Sequence, residues 1–230
     1  MQVADSVNLD ERVGTDGGLD IDPKSLSARD RYKLLCGLVV PRPIALVTTL
    51  SPEGVVNAAP FSFFNMFSDE PPIVILGVNL RNDGTEKDTT RYIQANGEYV
   101  IHIVSEEDGH AMNVCATEFP EDISEIDIAG FTLKPSRKVA PPTIVEAAAA
   151  LECRLHSVIP FSEKRAIIVG EVVQIKARAG IVDPAKLYVD VKKYRPMARL
   201  FGNLYATLGE VYELKRETYQ EWSERTGRKR

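Results

Sequence analysis

The chain has 230 residues, 44% of them hydrophobic, enough for a substantial core in one large domain or two small ones. Charged residues make up 27% and the net charge is −5, which argues against a polyanion-binding role; the one dense basic cluster, ERTGRKR at the end, reads as a solvated tail. No apolar run approaches the ~20 residues that span a bilayer, and the N-terminus lacks the basic and apolar regions of a secretory signal. Cys36, Cys115 and Cys153 are far apart and odd in number, which predicts reduced thiols and a cytoplasmic location rather than a disulfide framework.

Residues 1 to about 22 are rich in Asp and Gly and lack periodicity, so they read as a loose arm. Ser27 then predicts an N-cap, ARDRYKLLCG a short amphipathic helix, and Gly37 its stop. PIALVTTL (43–50), the turn SPEG and the following VVNAA predict a hairpin, and PPIVILGVNL (71–80) a further strand. KDTTRYIQANGE (87–98) reads as a helix capped by Asp88, YVIHIVS (99–105) as a strand, and EDGHAMNVCATEF as a second short helix. A strand is expected from near Ala148 and a long one over 165–180, with Gly170 as a bulge. A last short strand, TLGEVYEL, precedes a charged tail from Lys215 that contains Trp222. Strands dominate and do not alternate with helices, so the pattern predicts a mainly β fold: an antiparallel barrel with inserted helices in a single domain over 23–214.

Several chemistries are missing. There is no G-x-G-x-x-G, no Walker-type loop and no G-x-S-x-G. His102, His110 and His156 have no ligand spacing, so no metal site is expected. Glu106 and Glu107 read as a solvated turn. His102 lies opposite Ile101 and Ile103 in its strand and reads either as a surface residue or as the lining of a cavity.

Two segments suit a ligand. NAAPFSFFNMFSDEPP (57–72) carries four phenylalanines and a methionine, yet its three prolines oppose regular structure. Free N–H groups in such a loop could face the edge of a flat ring, although core or dimer packing of the phenylalanines is an equal alternative. In RNDGTEKDTTRY, Arg81 and Lys87 flank a turn before a helix start, a site suited to phosphate; a plain Asp88 cap is the alternative. Together the segments suggest a planar ligand with one phosphate, the shape of flavin mononucleotide (FMN).

VVPRPIALVTTLSPEGVVNAAPFSFFNMFSDEPPIVILGV, followed by RNDGTEKDTTRYI, closely resembles the flavin reductase-like, FMN-binding split-barrel family, which includes flavoredoxins. EYVIHIVSEEDGHAMNVCA, EIDIAGFTLKPSRKVAPPTIVEAAAALECRL, IIVGEVVQI and RLFGNLYATLGE continue the match in order, over about 32–214. The resemblance implies a Greek-key split β-barrel, usually a homodimer, with FMN held non-covalently in a dimer-lined cleft. It implies cofactor contacts from Thr48, Thr49, Ala59, Pro60, Phe61, Ser62 and Phe63. It places the phosphate at Arg81, Lys87, Asp88 and Thr89, puts Tyr205 near the ring, and makes Asn65 and Ser68 supporting residues. A Gly-Gly pair usual before that tyrosine reads Gly202–Asn203 here. The implied activity is an NADH- or NADPH-dependent flavin reductase, passing hydride to the FMN ring without a catalytic acid or base. The alternatives are an FMN electron carrier serving an acceptor protein, and a flavin-binding protein without turnover. Neither nucleic acid nor membrane is an expected partner.

Overall fold

The computed structural model describes residues 16–81, 83–117, 119 and 124–228. Most of the arm expected over 1–22 therefore lies outside the described residues. A short helix, α1 (Ala28–Leu38), leads into strands β1 (Arg42–Pro43), β2 (Ala45–Leu50), β3 (Val56–Phe61), β4 (Phe64–Asp69) and β5 (Pro72–Asn79). Then come α2 (Asp88–Asn96), β6 (Glu98–Ile103), α3 (Gly109–Val114), α4 (Glu125–Ala129), β7 (Leu133–Lys134) and β8 (Thr143–Ile144). The long hairpin β9 (Ala149–Ser162) and β10 (Arg165–Ala177) is followed by α5 (Val191–Tyr194), β11 (Met197–Arg199), β12 (Tyr205–Thr207) and α6 (Tyr219–Thr226).

The main sheet has seven strands in the order β3-β2-β6-β9-β10-β5-β4, with every pairing antiparallel. Its two edge strands, β3 and β4, follow one another in sequence with only Ser62 and Phe63 between them. Two linking residues reach no more than about 11 Å from strand end to strand end. The sheet must therefore curl until its edges lie side by side, which makes it a split barrel rather than an open sheet. The bulges that bend β10 against β9 include one between Val169 and Gly170, at the glycine the sequence singles out. A Cβ on Gly170 would sit 1.8 Å from the Tyr99 hydroxyl, so this close approach requires glycine.

Strand β2 is buried on both faces, which explains its unbroken apolar run. Ala45 and Val47 face the barrel interior with Leu76, Tyr99 and Ile168. Ile44 and Leu46 face a second core, formed outside the barrel with Met112, Ile126 and Ile144. The excursion around β7 and β8 is clamped to this outer face by polar side chains from three adjacent strands. Thr48 donates to the Pro142 carbonyl (2.7 Å), and Glu152 accepts from the backbone N–H of Arg137 (2.9 Å) and Lys138 (2.6 Å). His102 contacts the Leu46 carbonyl through Nδ1 (3.0 Å) and accepts the Ile144 N–H at Nε2 (2.9 Å). A carbonyl on one nitrogen and an N–H on the other fix the neutral Nδ1–H tautomer. Burial pushes the His102 pKa down to about 4, the Leu46 bond opposing and the Lys176 charge adding. His102 is thus a fully buried clamp, neither surface nor cavity lining.

Several local expectations change. The 57–72 stretch is regular strand except for Ser62–Phe63 and the turn at Glu70–Pro71. Pro60 is tolerated because β3 is an edge strand, where a missing N–H breaks no ladder. Helix α1 continues through Gly37 to Leu38. TLGEVYEL is not a strand: pairing ends at Thr207. The charged tail ends in α6, opened by a capping box between Thr218 and Glu221.

Candidate flavin site

A cleft of about 380 Å³ opens beside β3, within the ~300–1,000 Å³ range of small-molecule sites. Asn57 and residues Ala59 to Ser62 form its floor. One end is built by Arg81, Lys87, Asp88 and Thr89; the other by Tyr32, Ile44, Arg199 and Tyr205. Met112, Cys115, Phe119 and Glu125 form the facing wall.

The polar end is organised around the start of α2. Its N-cap is Lys87, whose side chain makes no capping bond. This corrects the expected Asp88 cap. The Asp88 carboxylate instead pairs with Arg81 and with Arg91 (2.8 Å), and Arg81 also donates to the Glu86 carbonyl. Ser27, Asp190 and Thr218 cap α1, α5 and α6, whereas the short α3 and α4, like α2, have no side-chain cap bond. The first turn of α2 thus lacks a side-chain acceptor for its N–H groups and carries the positive end of the helix dipole beside Lys87. Asn57 reaches across with its amide, donating to Thr89 Oγ1 (3.0 Å) and Thr49 Oγ1 (3.2 Å). Because Thr89 Oγ accepts from Asn57, its own O–H remains available as a donor.

The open edge of β3 supplies fewer donors than the sequence suggested. The Ala58 N–H turns away from β2 and donates to the Glu125 carboxylate (3.2 Å). Pro60, two residues on, faces the same way and has no N–H. Burial pushes the Glu125 carboxyl above its ordinary range, with the Asp88 charge adding; the backbone N–H groups of Glu125 and Ala58 oppose this. The Cys115 thiol is pushed up to about 12 by burial and then by the Glu125 charge, so it stays protonated. At the other end, the Arg199 guanidinium lies 4.5 Å from the Tyr205 ring centroid and donates to its hydroxyl. The Tyr205 hydroxyl donates to Asn113 (3.1 Å).

The cleft brings together Ala59, Pro60, Phe61, Ser62, Arg81, Lys87, Asp88, Thr89 and Tyr205. Thr48, Thr49 and Phe63 do not line it. Thr48 is on the outer face, and Thr49 sits behind the cleft, linked to it through Asn57. Phe63 packs near Tyr32, ring centroids 6.3 Å apart, with Gly77 against its Cβ. Among the described residues, Asn65 and Ser68 bond locally, accepting from the N–H groups of Met66 within β4 and of Glu70 in the turn after it. The sequence reading missed Asn57, Glu125 and Arg199. Each opens a stretch quoted for the family resemblance, NAAPF, EIDIAGF and RLFGNLY, but only tertiary packing brings Glu125 and Arg199 to the cleft.

Among the described residues no cluster of His, Cys, Asp and Glu could hold a metal, and no helix is long and apolar enough to cross a membrane. The residues present fit a flavin. They offer an uncapped helix start with a lysine and a hydroxyl for an anion, and an apolar floor and wall for a ring.

Comparisons with known proteins bear on the family and the fold. An uncharacterized protein of Halalkalibacterium halodurans is 41% identical, over 87% of this chain and 97% of its own. Nitrilotriacetate monooxygenase component B from Bacillus cereus superposes with a TM-score of 0.81 at 36% identity, covering 85% of this chain and 98% of that one. The 2-nitrobenzoate 2-nitroreductase NbaA of Pseudomonas fluorescens gives a TM-score of 0.80 at 36% identity, covering 87% and 97%. Residues 37–198 match the Flavin reductase like domain, and the chain belongs to that family, with its split-barrel fold.

Proposed function

We propose that this chain binds FMN in the cleft and acts as an NAD(P)H-dependent flavin reductase. The observation that carries the proposal is the uncapped start of α2, set beside Lys87 and Thr89 at one end of a cleft floored by β3. Lys87, the Thr89 hydroxyl and the first N–H groups of α2 hold the phosphate; Arg81 is held by Asp88 and shapes the loop. The ring lies along Ala59–Ser62, where Met112 and Phe119 exclude water. When bound, the flavin supplies the electron-accepting chemistry, so the chain's residues need only bind, orient and shield it. Tyr205, held between Arg199 and Asn113, borders the end away from the phosphate, where a nicotinamide donor has access.

The three buried thiols support a reducing, cytoplasmic setting. Exposed Val211, Tyr212, Leu214 and Tyr219 support a homodimer that covers them. The testing experiment is anaerobic mixing of flavin-loaded protein with NADH and then NADPH. Bleaching of the flavin absorbance by either supports a reductase. No bleaching by either contradicts it and leaves an FMN electron carrier.

A further inference from the structure

Two carboxylates line the described part of the cleft, and they are held differently. Asp88 lies between Arg81 and Arg91. Glu125, at the first residue of α4, has no cation partner among the described residues; its carboxylate accepts the Ala58 N–H from the edge of β3. We propose that Glu125 couples flavin binding to uptake of a proton from solvent. It is a carboxylate before binding and a carboxylic acid afterwards, keeping the Ala58 N–H on its carbonyl oxygen and turning its O–H toward the anionic ligand.

This deepens the FMN reading and rests on it. A phosphate monoester brings about −1.5 to −2 charges near neutral pH. Arg81 is already compensated by Asp88, which leaves Lys87 and the helix start to meet that charge. A second unpaired negative group in the same partly desolvated cleft raises the cost of anion binding, and protonating it removes that cost. Burial and Asp88 already favour the neutral form of Glu125. Among the described residues, β3, α3 and Cys115 add no rival proton acceptor beside it. Strand β3 carries no ionisable side chain, α3 brings only the solvent-exposed His110, and Cys115 remains a thiol. From the α2 side, the Asp88 carboxylate, paired with Arg81 and Arg91, and the Lys87 ammonium face the same cleft.

The sign follows from linkage. A pKa raised further by binding means that affinity falls as pH rises from the free value to the bound value. The test is FMN affinity, from flavin fluorescence quenching between pH 6 and 8.5, in wild type and Glu125→Gln. Protons are counted by calorimetry in buffers of different ionisation enthalpy. The phosphate's own ionisation contributes to both proteins and cancels in the difference. At pH 7, wild type takes up a larger fraction of a proton than the variant. At pH 8 the variant binds FMN about tenfold more tightly, equivalent to one pKa unit. The carboxyl ¹³C resonance of Glu125 gives the answer in wild type alone, shifting to the acid form when FMN is added at pH 7. Equal proton counts with parallel pH profiles, or a resonance that stays in the carboxylate position, overturn the proposal. Absence of FMN, FAD and riboflavin binding in both proteins instead overturns the flavin reading itself.

Discussion

Two sets of buried polar groups around strand β2 are used in opposite ways. On the outer face, Thr48, His102 and Glu152 each give their polar atoms to backbone between Leu46 and Ile144. Every donor there meets an acceptor, and the result is a clamp on the β7–β8 excursion. On the cleft side, Asn57 and Thr49 hold Thr89 in place while the helix start it belongs to remains uncapped. Polar groups that serve the fold are closed on each other. On the proposed reading, Thr89, the hydroxyl offered to the ligand, accepts one bond from Asn57 and is left with a donor to give.

The sharpest way to break this comparison is to remove a clamp. Glu152→Ala leaves the N–H groups of Arg137 and Lys138 without their carboxylate and is expected to cost about 3 kcal/mol, read from the urea midpoint. A loss below about 1 kcal/mol would mean that the outer face does not depend on it.

The His102 clamp makes a pH statement of nearly the same size. Its folded pKa of about 4 lies below the unfolded value near 6.5, so the unfolded state binds the extra proton between the two. Stability from this group is full above pH 6.5 and is lost as pH falls toward 4, about 3 kcal/mol in all. His102→Gln is expected to flatten that part of the pH profile of unfolding.

On the cleft side the expected effect falls on binding, not on folding. Lys87→Ala combined with Thr89→Ala is expected to weaken FMN binding roughly 10- to 100-fold. The exposed Lys193→Ala serves as the control and should leave flavin content unchanged after gel filtration. The smallest effect is expected at Tyr99. Its hydroxyl is buried against Gly170 without a hydrogen-bond partner, so Tyr99→Phe should change stability by less than about 1 kcal/mol in either direction.

Much of this was legible in the sequence, because strands with one dry face announce themselves by alternation and β2, buried on both, by a continuous apolar run. Gly170 stood out in a long strand, where a missing side chain signals a bulge. The 57–72 stretch misled because proline opposes a central strand but not an edge strand, and edge position is a property of the whole sheet. Thr48 and Thr49 were both assigned to the ligand, yet neighbours in a strand face opposite ways, and period two alone separates them. The cap of α2 was misplaced by one residue because Asp88 had two arginines to choose over its own helix. Glu125 and Arg199 open stretches that match the family, but they reach the cleft only when the barrel closes and the C-terminal strands fold back, so their place in the site is not legible locally.

The phosphate seat is tested most directly by comparing FMN with riboflavin, which lacks only the phosphate, in wild type and in the Lys87/Thr89 double alanine variant. A seat at the start of α2 requires wild type to prefer FMN by at least about tenfold, and the variant to lose most of that preference while keeping its affinity for riboflavin. Equal affinity of wild type for the two flavins, or an unchanged preference in the variant, would contradict it.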